Sequence, residues 1–249
     1  MQKYVVSLAD YSGAWAEPFI KFGYKVILVD PKHGGERGGQ RGMVADMKPW
    51  VGKRSDDVYL LGATAGFAVC LFKMGRLFNF IGAPEGEVDV VLAAPPCTDF
   101  SVSGARWWAG KDERGDTKLS VQIVNECLDF IHWSRPRCWA LENPVGRIAK
   151  MCKRLSPEAR LLFNPCDYAG WADDPSTEAY TKRTCLWGHF DTDLEKKPIE
   201  PVMYVGKNGK RGSYIWAKLG GKSERTKELR SMTPIGFSRA FADRNAERG

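Results

Sequence analysis

Three side chains that could take part in chemistry stand where predicted strands end, and the first of them is a cysteine. The stretch Val88–Gly104 begins as a valine-rich apolar run, which is the pattern of a strand buried on both faces. Pro95 and Pro96 break this strand directly before Cys97, because proline cannot donate to a strand ladder. A thiolate at this position could act as a nucleophile on a stiff turn, followed by a small, polar and mobile loop. Since cysteine is also a common core residue, Cys97 alone leaves a structural role open.

A glutamate and an arginine stand at two other predicted strands. The apolar run Cys138–Leu141 leads into Glu142, and Arg183 comes just before the run Cys185–Trp187. In an open α/β sheet the ligand crevice lies outside the carboxyl ends of the strands. We therefore expect Cys97, Glu142 and Arg183 to converge at one edge of a sheet.

The first 30 residues resemble half of a nucleotide-binding βαβ unit. The strand Tyr4–Leu8, a turn ending in Gly13, the helix Ala14–Phe22 and the strand Lys25–Val29 lead to Asp30. The carboxylate lies near the spacing at which it accepts hydrogen bonds from ribose hydroxyls. Because the chain lacks a G-x-G-x-x-G motif, a nucleoside without phosphates fits at least as well as a dinucleotide.

Composition limits the class of protein. The chain has 249 residues, of which 43% are hydrophobic, enough for one large domain or one domain with a small appendage. Seven cysteines without a CxxC pair indicate neither a disulfide framework nor a metal site, and favour a reducing cytoplasm. The uncharged stretch Tyr59–Phe72 is shorter than the roughly 20 residues of a membrane span, so we expect a core helix.

The net charge of +7 is concentrated in residues 201–230, which hold eight basic residues against two acidic ones. Tyr204, Tyr214 and Trp216 interleave with these cations, a pattern typical of nucleic-acid contact. A solvated basic face is the alternative. Asn208-Gly209 predicts a hairpin in the same region.

The predicted fold class is α/β, a mostly parallel sheet with helices on both faces and a small basic appendage. We expect a catalytic domain over residues 1–190, a recognition region over 191–230, and a segment over 231–249 that returns to the catalytic domain. Helices are predicted over Leu119–Trp133, 145–155, 157–163 and Ser238–Arg244. Trp107 and Trp108 could contact bases or pack onto the domain.

Five motifs now identify a resemblance. PPCTDFSVSG resembles the catalytic motif of the C5-cytosine DNA methyltransferases, and LENP at 141–144 resembles their Glu-Asn-Val motif. Thr181-Lys182-Arg183 resembles their Gln-x-Arg-x-Arg motif, Asp10-Tyr11-Ser12-Gly13 resembles their Phe-x-Gly-x-Gly motif, and RSMTPIGF is similar to their late Thr-Pro motif. The motifs occur in the family's order.

The resemblance implies a Rossmann-like methyltransferase that moves a methyl group from S-adenosylmethionine to C5 of a flipped cytosine in double-stranded DNA. It implies that Cys97 adds to C6, that Glu142 meets N3 and N4, and that Arg183 holds O2. It also implies a monomer in the cytoplasm without a membrane anchor. The implied cofactor-binding residues are Tyr11, Ser12, Gly13, Trp15, Asp30, Asp46, Pro95 and Leu119. The expected nucleic-acid-binding residues are Ser101, Ser103, Arg106, Lys207, Lys210 and Arg211.

The chain departs from the family pattern at several positions. Trp15 and Ala16 stand where the family has two glycines, and Cys185 replaces the second arginine. The short region 191–230 predicts a short recognition sequence or help from a partner. Three alternatives stay open: an RNA cytosine methyltransferase, a catalytically silent nucleic-acid-binding protein, and transfer of a group other than methyl.

Overall fold

An eight-stranded mixed sheet organises the chain. The computed structural model describes residues 1–34, 49–205, 209, 211–213 and 229–247. The strands of the sheet are β1 (Gln2–Leu8), β2 (Lys25–Val29), β3 (Trp50–Ser55), β4 (Val58–Gly62), β5 (Gly86–Ala93), β6 (Cys138–Pro144), β7 (Leu161–Phe163) and β8 (Thr184–His189). Their spatial order is β3-β4-β2-β1-β5-β6-β8-β7. Five neighbouring strands, from β4 to β6, are parallel, whereas β3, β8 and β7 each pair antiparallel with a neighbour.

The strand order creates a switch point between β1 and β5. The chain runs from β1 outward to β2 and β4 on one side, then returns to β5 on the other side of β1. The connections that leave β1 and β5 therefore diverge to opposite sides, and a crevice opens between their carboxyl ends. Residues 9–13 and 94–97 border this crevice.

Two hydrophobic cores cover the two faces of the sheet. Alternate residues of β1 point to opposite faces, so Val6 packs in one core and Val5 in the other. Helices α1 (Ala65–Lys73), α2 (Leu77–Ile81) and α4 (Asp116–Ser134) cover the first face. The helix Ile235–Asn245, labelled α6, and a 3₁₀ helix at Glu17–Phe22 cover the second. This confirms the predicted α/β class with helices on both faces.

Four predicted helices differ from the structure. The predicted core helix over Tyr59–Phe72 is instead a strand, β4, followed by the helix α1. The sequence contains two apolar runs, separated at Gly62, that were predicted as a single helix. In the predicted helices at 145–155 and 157–163, only α5 (Ile148–Met151) is helical, and Leu161–Phe163 is an edge strand. The predicted helix Ala14–Phe22 is a 3₁₀ helix that begins only at Glu17.

The predicted hairpin is present outside the main sheet. Strands β9 (Met203–Val205) and β10 (Arg211–Ser213) pair antiparallel. In the part of the chain that the structure describes, no helix is long and apolar enough to cross a membrane.

Candidate active site at the carboxyl edge of the sheet

Backbone hydrogen bonds align the strand ends that border the crevice. The Ala94 amide donates to the Leu8 carbonyl over 3.0 Å, and the Ala9 amide donates to the Val29 carbonyl over 2.8 Å. The turn after β1 and the Pro95-Pro96-Cys97 segment after β5 therefore leave the sheet side by side. Both segments carry residues that the sequence predicts to be functional.

Cys97 lies at the head of a tight turn. Its carbonyl accepts hydrogen bonds from the amides of Phe100 and Ser101, over 3.0 and 2.9 Å. The buried Asn143 donates through Nδ2 to the carbonyl of Pro95 over 3.1 Å. Asn143 thus ties the cysteine segment to β6 next to Glu142, and Cys97 as a residue is half-buried.

A second set of contacts joins the cysteine loop to the segment after β6. Ser101 and Gly146 form an isolated antiparallel bridge, and the Val102 amide donates to the Val145 carbonyl over 3.1 Å. A Cβ on Gly146 would lie 1.9 Å from the Phe100 carbonyl oxygen. Only glycine permits this close approach, so Gly146 fixes how near the two loops can lie.

Burial and the charge of Lys182 act on the pKa values of both Cys97 and Glu142. Burial raises the pKa of the Cys97 thiol, the Lys182 charge opposes this effect, and the Glu142 charge adds to it. Burial likewise raises the pKa of the Glu142 carboxyl, and Lys182 again opposes the change. The structure therefore brings Cys97 and Glu142 together, with Glu142 biased towards its protonated form.

Arg183 does not join this pair. Its side chain is exposed, and its charge acts on the neighbouring Cys185 thiol, whose pKa burial raises. The cation that acts on both Cys97 and Glu142 is Lys182, one residue earlier. Arg183 contributes its carbonyl, which accepts from the Val145 amide over 3.0 Å.

The segment after Cys97 is helical rather than an open loop. Residues Val102–Trp107 form a 3₁₀ helix, and α3 (Trp108–Glu113) follows. Arg147 binds the Asp112 carboxylate through two nitrogens, each over 2.7 Å, and its guanidinium lies 4.6 Å from the Trp108 ring centre. These contacts hold the segment against the end of β6.

Three of the residues predicted to meet nucleic acid, Ser101, Ser103 and Arg106, lie in or directly before this helical segment. Ser101 and Ser103 share a hydrogen bond of 2.8 Å between their hydroxyls. Arg106 is exposed and stacks 5.0 Å from the ring centre of Trp107, which is 60% exposed. The two tryptophans therefore have different surroundings. Trp107 faces solvent, where it could contact bases, whereas Trp108 packs onto the domain under Arg147.

The glycine turn after β1 is built around Asp10. Its carboxylate accepts hydrogen bonds from the Ser7 and Ser12 hydroxyls and from the Gly13 amide, over 2.8 to 2.9 Å. Gly13 has φ of +76°, a left-handed conformation that favours glycine. Arg54 from β3 supports the turn from outside through the carbonyls of Ser12 and Tyr11.

Asp30 ends β2 beside an aromatic pair. Its carboxylate accepts from the Lys32 amide over 2.8 Å, and burial raises its pKa to about 6. The Tyr11 and His33 rings lie 5.1 Å apart, and burial lowers the pKa of His33 to about 4, so the imidazole is neutral at pH 7. A half-buried carboxylate near the Tyr11 and His33 rings suits the hydroxyls and base of a nucleoside.

The remaining predicted cofactor residues have different surroundings. Trp15 is fully buried and packs on Phe237 and Phe241 of α6, so it belongs to the core rather than the crevice. Pro95 is buried, whereas Leu119 is 42% exposed on α4. Asp46 lies outside the described residues.

The basic appendage is described only in part. Lys207 and Lys210 lie outside the described residues, and Arg211 begins β10. The described strand β9 is exposed along its length. These three predicted nucleic-acid contacts therefore stay predictions.

Sequence reasoning missed Lys182, Asn143 and Arg54. Lys182 and Asn143 stood inside recognised motifs, but which of two adjacent residues faces a site depends on the pairing of β6 with β8. Arg54 lies in a polar stretch that carried no strand signal.

Comparisons with known proteins give three sequence relatives. The chain is 25% identical over 142 residues to the type II methyltransferase M.AgeI of Thalassovita gelatinovora, covering 54% of this chain and 30% of that protein. It is 33% identical over 88 residues to the type II methyltransferase M.AquIA of Picosynechococcus, covering 34% and 32% of the two chains. It is 27% identical over 165 residues to a protein of frog virus 3 named as a DNA (cytosine-5)-methyltransferase, covering 59% and 71%.

The chain thus spans about a third of the length of the two bacterial relatives. A solved structure of a candidate DNA modification methyltransferase encoded within an E. coli prophage aligns with a TM-score of 0.44 and 10% identity, covering 91% of this chain and 66% of that one. No protein-family model matches the chain.

Proposed function

We propose that this chain, a relative of the cytosine-5 DNA methyltransferases as its motifs indicated, transfers a methyl group to C5 of cytosine in double-stranded DNA. The observation that carries the proposal is that Cys97 follows β5 and Glu142 lies near the carboxyl end of the adjacent parallel strand β6, near enough for the Glu142 charge to raise the pKa of the thiol, beside a crevice suited to a nucleoside. The sequence relatives, which are named as DNA methyltransferases, support it.

Cys97 is the nucleophile in this proposal. Carbon C5 of cytosine is a poor nucleophile until a group adds to C6. The Cys97 thiolate forms a bond to C6, and the electron pair of the C5–C6 double bond makes C5 reactive towards a methyl group. After transfer, a base removes the C5 proton, the Cys97–C6 bond breaks, and the double bond returns.

Glu142 stabilises the charge that this addition places on the ring. Because burial raises its pKa, the Glu142 carboxyl is biased towards the protonated form. A protonated carboxyl can donate to N3 and accept from the amino group at N4. The charge of the ring is then shared with the protein while the covalent bond exists.

The described residues of the crevice fit S-adenosylmethionine. Asp30 offers a half-buried carboxylate for ribose hydroxyls, and the backbone of Ser12 and Gly13 lies in the turn that would border the methionine end. Tyr11 and His33 offer ring faces at the same edge. When bound, the cofactor supplies the methyl group as an electrophile.

The target base must leave the duplex stack to reach Cys97. Trp107 and Arg106 lie exposed beside the cysteine loop, where a stacking side chain and a cation could meet a displaced strand or phosphate. The basic region 201–230 supplies further positive charge for a polyanion.

The test is to incubate the protein with S-adenosylmethionine carrying a labelled methyl group and either duplex DNA or transfer RNA. We expect label in DNA, at C5 of cytosine when the digested nucleosides are analysed by mass spectrometry. Label in RNA alone, or at another atom, would overturn the proposal.

Two variants connect the activity to the site. Cys97→Ala removes the nucleophile, so transfer is expected to vanish while cofactor binding by calorimetry persists. Glu142→Gln is expected to slow transfer by about 10²–10⁴-fold, the range of acid–base groups. Turnover retained by Cys97→Ala would refute the role of the thiol.

A further inference from the structure

The pairing of β6 with β8 decides which side chains face Glu142. Glu142 lies opposite Leu186, and Pro144 lies opposite Thr184. The same register continues past the strand, because the Val145 amide donates to the Arg183 carbonyl over 3.0 Å. Lys182 therefore lies opposite Gly146.

Residues directly opposite each other in an antiparallel pair point to the same face, and successive residues alternate. Lys182 and Leu186 consequently share the face of Glu142, whereas Arg183 and Cys185 lie on the other face. The cores agree with this assignment, since Leu186 packs in one core and Cys185 in the other.

Lys182 is held in place at both ends. Its carbonyl accepts from the Thr184 hydroxyl over 2.9 Å. Its Nζ donates to the Arg230 carbonyl over 3.0 Å in a partly buried contact. Within the described residues the Arg183 side chain is exposed and forms no comparable hydrogen bond or ion pair.

We propose that Lys182, rather than Arg183, is the positioning cation of this site, and that it stabilises whichever of Cys97 and Glu142 carries the negative charge. The inference deepens the proposed function and rests on Cys97 as its nucleophile. Lys182 needs no contact with substrate for this role, because it acts through the two reacting side chains.

The charges around Cys97 support this role. Lys182 and Arg230 lower the pKa of the thiol, while burial and Glu142 raise it. Around Glu142, Lys182 opposes burial and the charge of Asp10. Tyr180, two residues before Lys182, is near enough for the Glu142 charge to raise its pKa, although burial is the larger cause. Lys182 is thus the cation common to both reacting groups.

The experiment is a pH titration of Cys97 reactivity in the full chain without DNA or cofactor. Iodoacetamide alkylation is followed by peptide mass spectrometry from pH 7 to about 11.5, because burial raises the pKa of the Cys97 thiol above its ordinary value. The exposed Cys70 is the internal reference within each sample. The variants are Lys182→Gln, Lys182→Met, Lys182→Arg and the matched control Arg183→Gln.

We expect both neutral Lys182 variants to raise the alkylation midpoint of Cys97 by about one pH unit or more, the effect of losing one nearby opposite charge. Near neutral pH this corresponds to about tenfold slower alkylation of Cys97 relative to Cys70. Lys182→Arg should restore the midpoint most of the way, and Arg183→Gln should leave it unchanged.

An unchanged midpoint in both neutral Lys182 variants would overturn the inference, as would an equal shift in Arg183→Gln. If Lys182→Gln fails to fold by circular dichroism, Lys182→Met, which keeps the length of the side chain, decides the question. Because alkylation needs no methyl transfer, a wild-type protein that shows the expected titration but no methylation would contradict only the proposed function.

Discussion

Asp30 is expected to oppose stability in the free protein and to favour cofactor binding, and Asp30→Asn separates the two effects. The asparagine oxygen can still accept the hydrogen bond that the Lys32 amide donates over 2.8 Å. The substitution therefore removes the charge and keeps the local turn.

The magnitude follows from the pKa. Burial raises the pKa of Asp30 from 3.8 to about 6, so the folded state binds more protons than the unfolded state between these values. The stability that this extra proton binding contributes to the folded state is fully present below pH 3.8 and is lost as pH rises through about 6. At pH 8 the ionised carboxylate costs up to about 3 kcal/mol, and at pH 5 about half of that.

Asp30→Asn should therefore raise the melting temperature of the free protein at pH 8, by roughly 2–4 °C for each kcal/mol gained. The gain should shrink at pH 5. Thermal unfolding followed by circular dichroism at the two pH values measures both effects.

Cofactor binding should change in the opposite direction. If the ionised carboxylate accepts from ribose hydroxyls, the affinity of the wild type for S-adenosylmethionine falls as pH drops, since the ionised fraction is about 90% at pH 7 and about 10% at pH 5. Calorimetry should show a roughly ninefold loss over this range in the wild type. Asp30→Asn should bind weakly at both pH values. A variant that is destabilised at pH 8, or that binds the cofactor as tightly as the wild type, would refute the reasoning.

Three further outcomes are expected. Gly146→Ala should force the cysteine loop away from β6, because the new Cβ would lie 1.9 Å from the Phe100 carbonyl oxygen. We expect the rate of methyl transfer to fall by about 10²-fold, the effect of moving a reacting group by about 1 Å. The control Gly104→Ala, in the same loop, should retain most of the activity. Glu178→Ala should lower the free energy of unfolding by about 1–3 kcal/mol, measured by urea titration. The reason is that the buried Glu178 carboxylate accepts hydrogen bonds from the Ile235 and Gly236 amides at the start of α6. An unchanged urea midpoint would show that these hydrogen bonds contribute nothing to stability. Arg147→Gln should loosen α3 by removing the two hydrogen bonds to Asp112, which faster hydrogen exchange of residues 102–113 would reveal; unchanged exchange would contradict this.

Local signals predicted the strands and turns that carry the site. The strand Lys25–Val29 has the predicted bounds, and the Pro-Pro break placed Cys97 at the end of β5. In both cases a few adjacent residues decide the structure, since an apolar run ends at an acid or at two prolines. The run Cys138–Leu141 was also predicted as a strand, but β6 continues through Glu142 to Pro144, so Glu142 lies inside the strand near its carboxyl end.

The features that sequence reasoning missed depend on distant pairing. Lys182 shares the face of Glu142 only because β8 pairs antiparallel with β6 in one register, and a shift of one residue would put Arg183 on that face instead. Trp15 looked like a cofactor contact because the turn around Gly13 lies at the crevice, but its surroundings come from α6, more than 200 residues later. Hydrophobic periodicity within one segment indicates neither the strand register that places Lys182 nor the helix that packs on Trp15.

The packing of Trp15 against Phe237 and Phe241 has a consequence for the order in which the protein becomes functional. The turn proposed to receive the cofactor is synthesised more than 200 residues before α6, yet the side chain of Trp15 at its end is enclosed only when α6 docks. A ribosome-bound chain that stops before residue 237 would leave Trp15 exposed and its turn without support. The emerging chain should therefore acquire cofactor affinity only after α6 has left the ribosome, although most of the sheet could already have formed.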